Sequence, residues 1–358
     1  MRTYTCLCGA TTFFDNTRCL TCGREQGFCP KCRTLSALLP QPDFSYRCGT
    51  CDAPVGKCWN YSANSVCNRC VSPPTEGALC DCCRFNATIP DLSVSGNAAK
   101  WYRLEAAKRR LFYDLDLLGL PYGTSSDGID PPLAFDFKAD YIPVDDFWRP
   151  TGDEEQVYTG HANGRITINV READDVEREK LRVDMGEAHR TLIGHFRHEI
   201  GHYYWDMLVK DRREDEFKAL FGDHENPAYN DAMNAYYQSG PAYDWPSRCV
   251  SAYASMHPWE DFAETWARYL AMISALDTAR HAGFETETDS TRDSIDTLVA
   301  RYQRLGIALN EINRSMGLID VVPDVFVPAV VEKLRYIDGL VREARENNQV
   351  FRSVAALG

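Results

Sequence analysis

The chain has 358 residues, of which 44% are hydrophobic, and this composition predicts two or three folded domains and excludes global disorder. Its net charge of −13 and pI near 5.1 argue against nucleic-acid binding by the molecule as a whole. There is no apolar run of about 18 residues, and the start MRTYTCLCGA lacks an apolar signal core. We therefore expect a cytoplasmic protein with no membrane span.

Cysteine is concentrated at the start of the chain, where 14 of the 15 cysteines come before residue 84. Pairs on short spacers are typical of zinc ligands, because a tight turn points two sulfur atoms at one ion; disulfides are less favoured without an export signal. The spacing predicts a zinc-ribbon array at residues 1–90 with three structural zinc sites. The expected ligands are Cys6, Cys8, Cys19 and Cys22; Cys29, Cys32, Cys48 and Cys51; and Cys58, Cys67, Cys80 and Cys83. Cys70 and Cys82 are left over, and either could replace a neighbour in the third set.

The ribbon array is a poor candidate for nucleic-acid binding. Residues 1–90 carry nine Lys or Arg and six Asp or Glu, and each zinc ion with four thiolates adds a net charge of about −2. Three such sites make the array negative, which disfavours contact with phosphate groups. We therefore expect a protein partner at the ribbon or a purely structural cap.

A long helix is predicted to follow the array, in NAAKWYRLEAAKRRLFYDLDLLGLP, and to end at Gly119 and Pro121. Its apolar residues recur at helical spacing: Trp101, Leu104, Leu111, Leu115 and Leu118. The basic cluster Lys108-Arg109-Arg110 is most simply a solvated face of this helix.

Two strands are predicted next, in LAFDF and in GRITINV, the second after an Asn163-Gly164 turn. After residue 284 the pattern is largely helical. Together these elements predict an α+β protein.

The segment GHFRHEIGHYYWD, residues 194–206, contains the frame His-Glu-x-x-His. On a helix, His198 and His202 share one face, one turn apart, and can bind one zinc ion. Glu199 would then lie beside a zinc-bound water and could take its proton as the general base. The frame fixes only three positions, so the alternative is an ordinary buried helix. The aromatic run at residues 203–205 is interpreted as core packing.

A catalytic zinc site needs a third protein ligand and an open fourth position. The metzincin extension is absent, because residues 205 and 208 are Trp and Leu. HPWEDFAETWARYL predicts a second helix from Pro258, with two glutamates four residues apart on one face. We expect Glu260 to be the third ligand and Glu264 to accept a hydrogen bond from a ligand histidine.

An amide-cleaving site also needs a group that stabilises the oxyanion. Tyr253, seven residues before Glu260, is the preferred candidate, and His257 is the rival. His195 shares a face with His198 and is expected to be a core or rim residue, because a fourth ligand would close the open position. The remaining histidines are expected to be structural or surface residues: His161, His189, His224 and His281.

Several segments resemble a known family of bacterial zinc-binding metallopeptidases with an N-terminal zinc-ribbon domain. They are TIPDLS, AAKRRL, LAFDF, TGHANGRITINV, GHFRHEIGHYYWD and VSAYASMHPWEDFAETWARYL. The HEIGH helix and the later glutamate helix are similar to the gluzincin pattern, in which two histidines and a glutamate bind zinc. The resemblance implies zinc on His198, His202 and Glu260, with Glu199 as base. In that pattern an edge strand above the metal pairs with extended substrate, a role that GRITINV could fill.

The resemblance implies a gluzincin-like catalytic domain at residues 91–284, with a small β-sheet, between the ribbon array at 1–90 and a helical region at 285–358. The expected function is a zinc-dependent peptidase with one catalytic and three structural zinc ions and a peptide or protein substrate. Two alternatives stay open. One is an amide or isopeptide hydrolase for a small or modified peptide, and the other is a zinc-ribbon interaction protein whose peptidase fold is only a scaffold.

Overall fold

The protein folds into two compact units, each built of helices and small sheets. The computed structural model describes residues 1–140, 157–184, 190–284, 288–323 and 325–355. The first unit consists of Met1–Phe112, Ala134–Thr159 and Thr167–Asp175. The second consists of Tyr113–Leu133, Gly160–Ile166 and Val176–Gly358. The mixture of helices and small sheets agrees with the predicted α+β class, whereas the three predicted domain bounds stay a prediction.

Short strands carry the cysteine-rich start of the first unit. A two-stranded antiparallel sheet, β1-β2, precedes a five-stranded antiparallel sheet in the order β3-β4-β5-β6-β7. The turns at residues 29–32 and 48–51 follow β3 and β5, so they lie at the same end of this sheet. The elements are β1 (Tyr4–Thr5), β2 (Thr11–Thr12), β3 (Gln26–Phe28), β4 (Leu35–Pro40), β5 (Tyr46–Cys48), β6 (Pro54–Lys57), the short helix α1 (Trp59–Ser62) and β7 (Cys70–Val71).

The long helix predicted after the ribbon is confirmed as α2 (Asn97–Leu118). All five predicted apolar positions are buried, and the chain leaves the helix at Gly119, which has φ +68°. A left-handed residue directly after a helix is most easily a glycine, because it has no Cβ to clash with the backbone.

The prediction of a solvated basic face on α2 was wrong for two of its three residues. Lys108 and Arg109 are buried, and only Arg110 is partly exposed. Lys108 Nζ lies 2.9 Å from Glu105 Oε1 and also donates to Asn86 Oδ1. Arg109 Nη1 donates to the carbonyl oxygen of Val66, at 2.6 Å. Long side chains with such partners can be buried, and a sequence pattern does not reveal those partners.

Both predicted strands are confirmed, but GRITINV does not form an edge. β11 (Arg165–Asn169) has β10 (Gly160–Ala162) on one side and β9 (Ala134–Lys138) on the other, with β8 (Asn86–Thr88) parallel to β9. Asn163 and Gly164 have φ of 49° and 81°, as a type I′ hairpin turn between β10 and β11 requires. The edge-strand expectation for β11 was therefore wrong, because the preceding residues fold back and pair with it.

Helices form most of the second unit. They are α3 (Asp175–Asp184), α4 (Leu192–Leu208), α5 (Glu214–Phe221), α6 (Tyr229–Ser239), α7 (Pro258–His281), α8 (Ile295–Ser315) and α9 (Pro328–Ala355). α4 and α7 pack closely at Gly201, where an added Cβ would lie 2.9 Å from the Cα of Ala263. The aromatic run of α4 packs in the core, as expected; the ring centroids of Tyr204 and Trp266 are 4.8 Å apart.

The C-terminal helices confirm the helical pattern predicted after residue 284. On α9, buried Lys333 Nζ lies 2.5 Å from Asp261 Oδ2 and 2.6 Å from the carbonyl oxygen of Arg248. This pair ties α9 to the first turn of α7. Among the described helices, none is long and apolar enough to cross a membrane.

Candidate metal centre

Helix α4 presents the two histidines of the His-Glu-x-x-His frame. The helix begins after Thr191, whose Oγ1 accepts a hydrogen bond from Gly194 N at 3.0 Å and so caps the helix. His198 and His202 lie one turn apart, and their Nε2 atoms are 3.1 Å from each other.

Helix α7 brings Glu260 to the same point. His257 caps this helix through Nδ1, which accepts from Trp259 N at 3.1 Å, and Pro258 is its first residue. Glu260 Oε2 lies 3.0 Å from His198 Nε2, and Glu260 Oε1 lies 3.5 Å from His202 Nε2. Tetrahedral zinc with bonds of about 2.0–2.1 Å has ligand atoms about 3.3 Å apart. The three side chains therefore fit a zinc ion.

The electrostatics of His198 and Glu260 favour a positive charge between them. Burial acts to lower the pKa of His198, but Glu260 and Glu264 outweigh it and raise this pKa well above the usual value. Burial acts to raise the pKa of Glu260, and His202 and His198 outweigh it, so that this pKa is well below the usual value. The position between His198 and Glu260 thus favours a positive charge, and a metal ion that binds there would replace the proton of the imidazole.

Glu264 lies where the sequence predicts a partner for a ligand histidine. Its Oε1 is 2.7 Å from His198 Nδ1, and its Oε2 accepts a hydrogen bond from Ser251 Oγ at 2.7 Å. With the proton on Nδ1, the lone pair of His198 Nε2 points toward Glu260. This is the tautomer that a metal-binding histidine requires.

Glu199 follows His198 on α4 and is buried, with 7% of its surface exposed. The neighbouring ligand candidate His202 packs its ring on Trp259, with 3.7 Å between ring centroids. Burial lowers the pKa of His202, which keeps the imidazole neutral and able to act as a ligand.

Of the two predicted oxyanion candidates, Tyr253 packs beside a proposed ligand, whereas His257 caps a helix. It lies in a 3-10 turn, Tyr253–Ser255, and its ring centroid is 6.1 Å from that of His198. Burial raises the pKa of Tyr253, so its hydroxyl stays protonated and can donate. His257 is occupied as the cap of α7. His195 is outside the group of side chains that could hold a metal among the described residues.

Two residues near the site were missed by sequence reasoning. Tyr229 donates its hydroxyl to Glu260 Oε1 at 2.9 Å. His161 stacks against His202, with 6.4 Å between ring centroids, and its Nε2 accepts from Gly164 N at 3.0 Å. Tyr229 stands in none of the motifs, and His161 lies in TGHANGRITINV but was expected to be structural, so only the tertiary structure brings the two residues to the site. His189 lies outside the described residues.

The ribbon cysteines form the three predicted groups, and each group brings four sulfur atoms together. All cysteines of the described residues are free of disulfides. The separations for Cys6–Cys22, Cys8–Cys19, Cys29–Cys51, Cys32–Cys48 and Cys67–Cys80 are 3.7, 3.7, 3.8, 3.7 and 3.8 Å. A disulfide would require about 2.05 Å, whereas tetrahedral zinc with sulfur bonds of about 2.3 Å has sulfurs about 3.8 Å apart. The distances therefore fit zinc.

The third cysteine group differs from the other two in being fully buried, and Cys70 and Cys82 are not part of it. Backbone N–H groups of Arg69, Cys80 and Cys83 donate to sulfur atoms of this group, at 3.3–3.4 Å. Four thiolates with zinc leave a net charge of about −2. Burial acts to lower the pKa of Lys108 and of Arg109, but Glu105 with Cys83 raises the first and Cys67 raises the second, so both side chains stay charged. Their burial on α2 thus has an electrostatic reason.

Comparison with known proteins agrees with this geometry. A family profile described as "Putative zinc-binding metallo-peptidase" matches residues 97–340, and a zinc-ribbon domain profile matches residues 3–94. The chain belongs to this metallopeptidase family. The metallopeptidase match covers both α4 and α7, and the ribbon match covers all three cysteine groups.

Relatives of this chain match it over nearly its full length. Uncharacterized proteins of Mycobacterium bovis and of two Mycobacterium tuberculosis strains are each 38% identical to it over 353 residues, which is 96% of either chain. No solved structure matches it significantly.

Proposed function

We propose that this chain is a zinc-dependent peptidase of the gluzincin type, with His198, His202 and Glu260 as the ligands of one catalytic zinc ion. The observation that carries the proposal is the convergence of three side chains from α4 and α7, whose nitrogen and carboxylate oxygen atoms lie 3.0–3.5 Å apart. Three structural zinc ions would occupy the cysteine groups of the ribbon array.

A zinc ion at this centre would supply a Lewis acid that polarises the substrate carbonyl and lowers the pKa of water. Glu199 takes a proton from the attacking water as its oxygen forms a bond to the carbonyl carbon. The same carboxyl group then gives the proton to the amine that leaves when the C–N bond breaks. Tyr253 donates its hydroxyl to the developing oxyanion. Water and an amide are thereby converted to a carboxylic acid and an amine.

The residues around the centre support catalysis over a scaffold role. A scaffold needs neither a buried carboxylate beside the ligands nor an orienting partner for a histidine. Glu199 and Glu264 supply both features. The match to a family of zinc-binding metallopeptidases supports a peptide or protein as the substrate.

The test is zinc stoichiometry by elemental analysis, on the wild type and on the double variant His198→Ala/His202→Ala. We expect about four zinc ions per chain in the wild type and about three in the variant, since only one of the four candidate groups is altered. An unchanged zinc content would refute the catalytic metal site.

Activity is then measured on a peptide library by mass spectrometry, with Glu199→Gln beside the wild type. Glutamine keeps the shape of the side chain but cannot take the proton, so we expect retained zinc and turnover lowered by roughly two to four orders of magnitude. Glu311→Gln on α8, whose carboxylate is exposed, is the control and should leave turnover unchanged. Equal turnover in wild type and Glu199→Gln would remove Glu199 as the base.

A further inference from the structure

Tyr229 approaches the metal centre from a helix that contributes no proposed ligand. It is the first residue of α6, and its hydroxyl donates to Glu260 Oε1 at 2.9 Å. Its ring packs edge-on against His257 and Trp259, with ring centroids 5.3 and 5.7 Å away. His257 caps α7 and Trp259 lies in its first turn, directly before Glu260. The hydroxyl is therefore held in place by the segment that also positions the carboxylate.

The two oxygens of Glu260 have different surroundings. Oε1 accepts the hydrogen bond from Tyr229 and lies 3.5 Å from His202 Nε2. Oε2 is buried, lies 3.0 Å from His198 Nε2, and accepts no hydrogen bond within the described part of the chain. When His198 carries its only proton on Nδ1, as the contact with Glu264 favours, its Nε2 lone pair faces Oε2, and a cation between the two atoms stabilises both. Oε2 is thus the oxygen directed at the metal.

A carboxylate can bind a metal through one oxygen or through both. Two-oxygen binding by Glu260 would add a ligand atom and fill the position that a catalytic zinc site keeps open. A hydrogen bond to Oε1 draws its electron density toward Tyr229 and fixes the rotation of the carboxylate. The geometry therefore favours binding through Oε2 alone.

We propose that Tyr229 is a positioning residue that restricts Glu260 to one-oxygen binding and so keeps a coordination position open for substrate. This inference rests on the proposed metal site, but it does not depend on which bond the enzyme cleaves. A different role, in which Tyr229 contacts the substrate oxyanion, predicts other results in the experiment below.

The experiment compares Tyr229→Phe with Tyr269→Phe in the full chain. Tyr269 is a matched control, because its buried hydroxyl also donates to a carboxylate at 2.9 Å, Asp338 Oδ1, away from the proposed ligands. A mild chelator removes the catalytic ion while zinc stays in the ribbon, and cobalt(II) is then added to the vacated site. Cobalt(II) absorbs visible light more strongly in four-coordinate than in five- or six-coordinate sites, so the spectrum reports the coordination number.

In Tyr229→Phe we expect a weaker cobalt absorption band than in the wild type, as the freed oxygen joins the metal, and zinc affinity lowered by about 10- to 100-fold. Tyr269→Phe should keep the wild-type spectrum and affinity. A wild-type spectrum in Tyr229→Phe overturns the inference. If turnover falls while the spectrum stays unchanged, Tyr229 acts on the substrate and not on Glu260. If the wild type takes up no metal beyond the ribbon sites, the proposed metal centre and this inference both fail. If it binds metal at the centre but cleaves no peptide, only the proposed peptidase activity fails.

Discussion

Single side chains set the properties of the metal centre, and Glu264 is the clearest case. The carboxylate fixes the tautomer of His198 through Nδ1 and is itself held by Ser251. Its position four residues after Glu260 follows from helical periodicity, so a sequence pattern can predict it. Tyr229 donates to a different proposed ligand, Glu260, from 31 positions away in sequence, and no pattern predicts this contact.

Replacement of Glu264 tests the orienting role. Glu264→Ala removes the acceptor for His198 Nδ1–H, so we expect zinc affinity at this centre to fall by about 10- to 100-fold. Glu264→Gln retains an acceptor oxygen but no charge, so its affinity should lie between those of Glu264→Ala and the wild type. Affinity is measured by chelator competition with ribbon zinc retained. An Ala variant with wild-type affinity would exclude the orienting role.

The buried lysine of α2 allows a direct comparison of two ion pairs. Two Glu–Lys pairs have the same i,i+3 spacing and similar N···O distances: 2.9 Å for Glu105–Lys108 and 2.8 Å for Glu177–Lys180. The first pair is fully buried, and the second is exposed. Lys108→Met leaves the Glu105 carboxylate without its cation, so we expect a loss of about 3–5 kcal/mol in the free energy of unfolding.

Lys180→Met is the control and should change that free energy by less than about 0.5 kcal/mol. Both variants are unfolded by denaturant at one fixed zinc concentration. Equal stability of the two variants would contradict the structural role given to Lys108.

At the scale of elements, local patterns predicted the helices and strands but not their surroundings. α2 ends before Gly119 and α7 begins at Pro258, as predicted, because the start and end of a helix depend on neighbouring residues. The edge position of β11 was predicted wrongly, because it depends on whether another strand covers it. Pairing of β10 with β11 required the Asn163-Gly164 turn to fold the chain back.

The close approach of α4 and α7 depends on Gly201. A Cβ at this position would lie 2.9 Å from Ala263 Cα and 3.1 Å from Trp266 Cβ, atoms that cannot move without shifting α7. Gly201→Ala should therefore cost about 1–3 kcal/mol of stability and weaken zinc binding by moving Glu260 away from the histidines.

The matched control is Gly339→Ala on α9, where an added Cβ meets no atom within 4 Å. There the substitution should stabilise the protein by about 0.4–1 kcal/mol, as expected for an exposed helix interior. Thermal unfolding and zinc affinity are measured for both variants. Normal zinc affinity in Gly201→Ala would show that the helix spacing tolerates the methyl group.

For the whole molecule, the three cysteine groups differ in how well they are protected. Cys8, Cys22 and Cys51 are exposed, whereas all four members of the third group are buried. A thiol reagent added to the zinc-loaded protein should modify these three exposed cysteines first, and the zinc of the third group should be released last. Mass spectrometry of labelled peptides, together with a zinc indicator, follows both processes. Release of all three ribbon ions at one rate would contradict the order predicted from burial.

The sequence by itself determined the features that depend on short separations. The cysteine pairs, the histidines one turn apart and the glutamates of α7 each lie within a few residues of one another, so spacing alone predicts their grouping. Only the tertiary structure decided that Lys108 and Arg109 are buried, that β11 is internal, and that Tyr229 meets Glu260. These features depend on contacts between segments that are distant in sequence. The packing of the core fixes such contacts, and they produce no periodic pattern in the sequence.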